Sequence, residues 1–80
     1  METKMKACIL VKTKPGEYDS VARAISEFEG VKASFPVMGR TDVVVRAETA
    51  DLKTLSALAL KVGAVEGVYA TETLIALEEG

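Results

Sequence analysis

The apolar positions along this chain alternate between two spacings, and each change of spacing marks an element. An extended aliphatic run over 6–13 is rich in β-branched residues and ends at Lys14-Pro15-Gly16, which predicts a first strand with a hard stop. Val21, Ile25 and Phe28 then recur at intervals of four and three, while Glu17, Asp19, Arg23 and Glu27 fall elsewhere, as in an amphipathic helix. Acidic residues in its first turn suit the helix dipole, and Gly30 supplies a stop. Extended structure resumes over 31–38. The second half repeats the order: a strand over 42–48, a helix over about 52–62 with Thr49 or Asp51 as its N-cap and Gly63 as its stop, and a strand over 68–77. The acidic tail Glu78-Glu79-Gly80 follows.

Glu29-Gly30-Val31 recurs as Glu66-Gly67-Val68, each time between a helix and the strand after it, so the chain reads as two βαβ halves. A βαββαβ order predicts an α+β, ferredoxin-like fold, with four antiparallel strands in the order 4-1-3-2 and both helices on one face. Proline cannot donate to a ladder, and Pro36 falls in the strand that this topology places at an edge. Two helices cover only one side of such a sheet, yet Ala7, Ile9 and Val11 alternate with apolar Cys8 and Leu10, and Val43 and Val45 with Val44. An uncovered apolar sheet face predicts a homodimer packed sheet against sheet, a dimeric α+β barrel. On the second helix Leu52, Leu55, Leu58, Ala59 and Val62 form the inward arc. Leu60 lies outside it near Lys53 and Ser56, a candidate for a dimer-to-dimer contact.

Composition narrows the function. Eighty residues make one domain, 1–80, small enough to lean on a partner for stability. The chain is 49% apolar and 28% charged, which is globular, and its net charge of −2 without a basic run argues against direct nucleic-acid binding. The first apolar run is too short for a signal peptide or a membrane span, so a cytoplasmic location without membrane attachment is expected. Cys8 is the only cysteine and there is no histidine, which excludes a histidine-activated thiol and histidine or paired-thiolate metal sites. Cys8 reads as a buried small hydrophobe, and no cofactor is expected.

Between the halves lies Gly39-Arg40-Thr41-Asp42, flanked by extended apolar runs. It reads as a hairpin tip, with glycine at the first central position of a primed two-residue turn and Asp42 able to cap backbone donors or meet a ligand. An amino acid needs acceptors for its ammonium and donors for its carboxylate within a partly apolar recess. Asp42 can take the ammonium, while the Arg40 guanidinium or the N–H groups from Gly39 to Thr41 take the carboxylate and Met38 lines the side-chain pocket. Thr71 and Thr73, at alternate positions on one face of the last strand, add hydroxyls or serve only as cross-strand β-formers.

The series Pro15-Gly16, Glu29-Gly30-Val31, Val37 to Asp42, Leu52 and Leu55, Glu66-Gly67-Val68 and Thr71-Glu72-Thr73-Leu74-Ile75 resembles the effector-binding RAM domain of the leucine-responsive and asparagine-type (Lrp/AsnC) transcription regulators, over nearly the full length. The resemblance implies dimers through the sheet that assemble into tetramers, octamers or rings, with amino-acid effectors in clefts between dimers and the glycine hairpin in the cleft wall. It begins at the first strand, with no segment matching the family's helix-turn-helix. A stand-alone sensory domain is therefore expected, acting alone or by co-assembly with full-length Lrp/AsnC regulators. Arg40 departs from the family, which often carries a small or acidic residue there. Two further readings share the fold: an ACT-like module, with its ligand at the loop after the first strand, and a small dimeric α+β barrel enzyme of monooxygenase or isomerase type. Against catalysis, the chain has no histidine or tryptophan, and Tyr18 and Tyr69 lie outside any acid–base constellation. A scaffold without ligand is the third alternative.

Overall fold

Strands form where aliphatic residues alternate in and out of the pleat, and helices where they recur every third or fourth position. In the computed structural model, which describes residues 4–77, the elements are β1 (Met5–Thr13), α1 (Tyr18–Ser26), β2 (Val31–Pro36), β3 (Val43–Thr49), α2 (Leu52–Gly63) and β4 (Val68–Ile75). The strands pair antiparallel in the order β2-β3-β1-β4, the order expected, with Pro36 on the edge strand. The acidic tail 78–80 lies outside the described residues.

One face of the sheet carries the core. Ile9, Val11, Val43, Val45 and Ala47 from the central strands meet Val21, Ala22 and Ile25 of α1 and Leu58 and Val62 of α2, all buried. Ser34 of β2 also faces the helices, and its hydroxyl donates to the Ala22 carbonyl of α1 at 2.9 Å. Between the helices the Lys61 ammonium sits 4.7 Å from the centre of the Phe28 ring, a cation–π contact. Leu52 departs from the expected inward arc at 55% exposure, because it is the first residue of α2 and projects beyond the buried stretch that Leu55 begins.

The duplication is geometric as well as sequential. Gly30 and Gly67 take φ of +95° and +98°, in turns where Val31 N–H donates to Phe28 O and Val68 N–H to Val65 O. Each glycine carbonyl then accepts from the other half: Gly30 O from Glu48 N–H and Gly67 O from Lys14 N–H, both at 2.9 Å. These glycines set the strand starts without ending the helices. α1 stops at Ser26, where Glu27 and Phe28 N–H donate to Ala24 and Ile25 O and tighten the last turn. Gly63 is likewise the last residue inside α2, not the residue after it. Of the two candidate caps for α2, Asp51 is the one used, its carboxylate accepting from Thr54 N–H at 2.8 Å.

Among the described residues, no helix lies over the outer face. Its register rows run Phe35–Val44–Leu10–Glu72 and Ala33–Arg46–Cys8–Leu74. Phe35 and Leu74 are 42% and 47% exposed, and Leu10 and Val44 are half-buried. Cys8 is half-buried on this face instead of enclosed in the core, because β1 alternation aims it away from the helices.

Two sets of substitutions test these contacts. A Cβ on Gly67 would stand 2.6 Å from Glu17 Oε1 and 3.0 Å from Val21 Cγ2 at positive φ, whereas one on Gly16, φ +80°, would meet nothing within 4 Å. Gly67→Ala should therefore cost about 1–3 kcal/mol in urea unfolding and Gly16→Ala only backbone strain of about 1 kcal/mol. The Thr54 hydroxyl and amide hold the Asp51 carboxyl below the usual carboxylate range. With the folded value depressed, the cap's contribution is present above the unfolded pKa and lost as pH falls through the folded one. Asp51→Ala should lower Tm at neutral pH, and the difference from the parent should close under acid conditions.

Candidate functional site

Residues 37–42 form the connection between β2 and β3, and its base is pinned while its tip is free. Val37 N–H donates to Asp42 O, and Asp42 N–H to Val11 O, each at 2.9 Å. The Asp42 carboxylate accepts the Thr13 N–H at 2.8 Å through Oδ2, standing in for the next carbonyl that the β1–β3 ladder lacks. Because Asp42 is held to β1 in this way, the expected two-residue primed turn is not made. Val37 and Asp42 instead close a four-residue loop, Met38-Gly39-Arg40-Thr41. Gly39 sits in it at φ +150°, positive φ that favours glycine. Met38 is fully exposed, Gly39 and Arg40 are exposed beside it, and Thr41 and Asp42 are half-buried at the base.

Thr41 and Thr71 come together. They border a shallow depression of about 220 Å³ with Leu10, Lys12, Ala70 and Glu72. The register sets Lys12 beside Ala70 and Leu10 beside Glu72, on the outer face of the sheet. Thr71 pairs with Val11 and Thr73 with Ile9, so both threonine side chains belong to the helix-side face by strand alternation. Thr71 thus reaches the rim of the depression from the far side of β4, while Thr73 stands apart from it. Met38, Gly39, Arg40 and Asp42 are not among the lining residues.

Lys12 and Glu72 were not singled out from the sequence. The signal was present: each is a charge interrupting the alternating apolar positions of its strand. It reads as an ordinary solvent-facing charge until the β1–β4 register places Leu10 beside Glu72 and Lys12 beside Ala70. The result is an apolar floor with a cation and an anion at its border and Thr41 and Thr71 at its rim. Chemically this suits a small zwitterion, with the ammonium toward Glu72 and the carboxylate toward Lys12. The loop after β1, where an ACT-like ligand would dock, presents Pro15 and Gly16 exposed, and its Lys14 N–H is already given to Gly67 O.

Comparison with known proteins agrees with this fold. The profile of the Lrp/AsnC ligand binding domain matches residues 6–79. The chain is 32% identical over 74 residues to the HTH-type transcriptional regulator FL11 of Pyrococcus abyssi, covering 92% of this chain and 49% of that protein, so it spans about half the length of this curated relative. Among solved structures, TTHA0845 from Thermus thermophilus superposes with a TM-score of 0.88 at 26% identity, over 95% of this chain and 96% of that one. The transcriptional regulator NMB0573 of Neisseria meningitidis, in its complex with L-Met, superposes with a TM-score of 0.81 at 22% identity, over 94% of this chain and 51% of that one.

The Asp42–Thr13 contact separates structural from ligand roles by mutation. Asp42→Ala leaves the Thr13 N–H without its acceptor and should cost about 1–3 kcal/mol in urea unfolding. Asp42→Asn keeps an acceptor oxygen and should cost less than about 1 kcal/mol.

Proposed function

The chain belongs to the family of Lrp/AsnC ligand-binding domains, and from that membership we propose that it binds a small amino-acid effector and assembles into homo-oligomers in amino-acid-responsive regulation of transcription or metabolism. The observation that carries this reading is the depression at the base of the β2–β3 loop, where Lys12 and Glu72 flank the apolar floor of Leu10 and Ala70. One cation, one anion and two hydroxyl-bearing residues around a floor of that size match a single amino acid better than a larger ligand. Asp42, whose Oδ2 accepts from Thr13 N–H, serves this site by holding the base of the loop that carries Thr41.

The depression is open to the side, and a partner would close it. The loop tip, with Met38 and Arg40, fits the part of a lid or contact contributed to a neighbouring dimer, and Leu60, 77% exposed on α2, fits a second such contact. Dimers form through the outer sheet face, and tetramers, octamers or rings follow from the exposed loop and helix. A shared sheet face also allows co-assembly with full-length Lrp/AsnC regulators. FL11, a transcriptional regulator, and NMB0573, held with L-Met, support the effector reading by likeness. The same reading makes the chain a non-enzymatic, cytoplasmic protein without nucleic-acid or membrane contacts of its own.

A thermal-shift panel of the twenty amino acids with parallel light scattering tests the proposal. A cognate ligand at a hundred times its Kd should add about 2.7 kcal/mol of stability to an assembly at least dimeric in size. Lys12→Ala should remove most of that gain without dispersing the assembly. A flat panel over an intact oligomer would favour the ligand-free scaffold, and a monomer at micromolar concentration would sink the sheet-to-sheet dimer.

A further inference from the structure

The two halves of the chain are not equally filled, and the difference exposes a second cleft. The interval from Gly30 to Gly67 also carries Val21 to Leu58 and Glu17 to Thr54. The correspondence is spatial: a Cβ on Gly67 would meet Val21 Cγ2, and one on Gly30 would meet Leu58 Cδ2, each glycine lying against the equivalent residue of the other half's helix. In the first half the space over the glycine is occupied by the protein's own carboxylate, with Glu17 Oε1 only 2.6 Å from where a Gly67 Cβ would be. In the second half the equivalent residue is Thr54, whose side chain is shorter and whose N–H donates to Asp51. What remains is a cleft of about 420 Å³ bordered by Glu29, Gly30, Thr49, Thr54, Leu58 and Lys61.

The charges differ in the matching sense. Lys61 has Ala24 as its counterpart, so the half that lacks an internal carboxylate is the half that gains a cation. The Lys61 ammonium is held over the Phe28 ring at 4.7 Å, beside the turn that carries Glu29 and Gly30, so part of its ordering cost is already met. Glu48 also borders the cleft, but its register beside Lys6 on the outer face leaves its backbone, not its carboxylate, facing Gly30. Glu29 stands exposed on the turn and suits a donor at the other end of a ligand.

We propose that this cleft between the α1–β2 turn, the end of β3 and α2 binds a short-chain carboxylate, which takes over Gly30 the place that the Glu17 carboxylate takes over Gly67. Lys61 supplies its counter-charge, and a hydroxyl on the neighbouring carbon donates to Glu29. The cleft lies on the helix side of one protomer, away from the β2–β3 loop, and needs neither the amino-acid site nor an assembled ring.

Titration of the ¹⁵N-labelled protein with sodium glycolate, against sodium chloride at equal ionic strength, tests this. Saturable shifts at the Gly30, Thr49 and Ala57 amides, with Gly39 and Arg40 unmoved, are expected. Lys61→Met, which keeps an apolar stem over Phe28, should weaken binding about tenfold, the loss of one charge-assisted contact. Thr54→Glu, an exposed change that suits the first turn of a helix, should restore an internal carboxylate and abolish the shifts. Shifts that fail to saturate, an unchanged Kd in Lys61→Met, or shifts that persist in Thr54→Glu would each overturn the proposal.

Discussion

Each half of the molecule depends on a glycine that turns the chain from its helix into an edge strand with positive φ and, in the same step, gives its carbonyl to the neighbouring central strand. Gly30 does this to Glu48 at the end of β3, and Gly67 to Lys14 just beyond β1. One residue therefore fixes both the entry of the edge strand and the end of the ladder beside it. The register irregularities fall at the same places, between Val31 and Ala33 in β2 and between Lys12 and Thr13 in β1. A bulge there lets the edge strand twist into the turn without moving the apolar positions of the central strands off the helix face.

With the helices committed to one face, the other face has to be explained by its own chemistry. Its centre is a diagonal of Phe35, Val44, Leu10, Cys8 and Leu74, interrupted by Arg46 in one row and Glu72 in the other. A purely polar face would need no partner, and a purely apolar one would accept many. Two opposite charges set in apolar rows favour arrangements that bring them together over those that bury either alone, because an unpaired buried charge costs several kcal/mol, on the order of 3–5 when a partner is lost. In a sheet-to-sheet dimer, the mixed composition would therefore select among the ways the two sheets can stack.

The element order, the strand order and the edge position of Pro36 were legible because periodicity and punctuation report them directly. The repeated Glu-Gly-Val was legible as a duplication for the same reason. Residues whose meaning depends on a neighbour distant in sequence were not. Asp42 reads as able either to cap backbone donors or to meet a ligand, and only the Thr13 N–H, from another strand, shows that it caps. Lys12 and Glu72 read as separate surface charges, although each adjoins the other's strand in the paired sheet. Thr71 and Thr73 share a face as expected, but only the register with Val11 and Ile9 tells which face. Leu52 matches the inward arc by spacing and misses it by position, at the first turn of α2. Within the candidate site, the loop was found from its glycine and its place at the seam, whereas its size was set by the anchoring of Asp42 to β1.

That anchoring also determines how the loop can respond to a ligand. Its base is held by the Val37, Asp42 and Thr13 hydrogen bonds, while Met38, Gly39 and Arg40 have no comparable burial. Segments with few buried contacts occupy the low end of local stability, so the tip can reorganise at little cost while the base stays with the sheet. Thr41 lies where these regimes meet, bordering the depression on one side and leading into the tip on the other. A group bound against Thr41 would restrict the tip without disturbing the β1–β3 ladder, and a tip already restricted by another molecule would present Thr41 at lower entropic cost. Were a ligand and a neighbouring protomer both to order this segment, thermodynamic linkage would make each favour the other by the same amount.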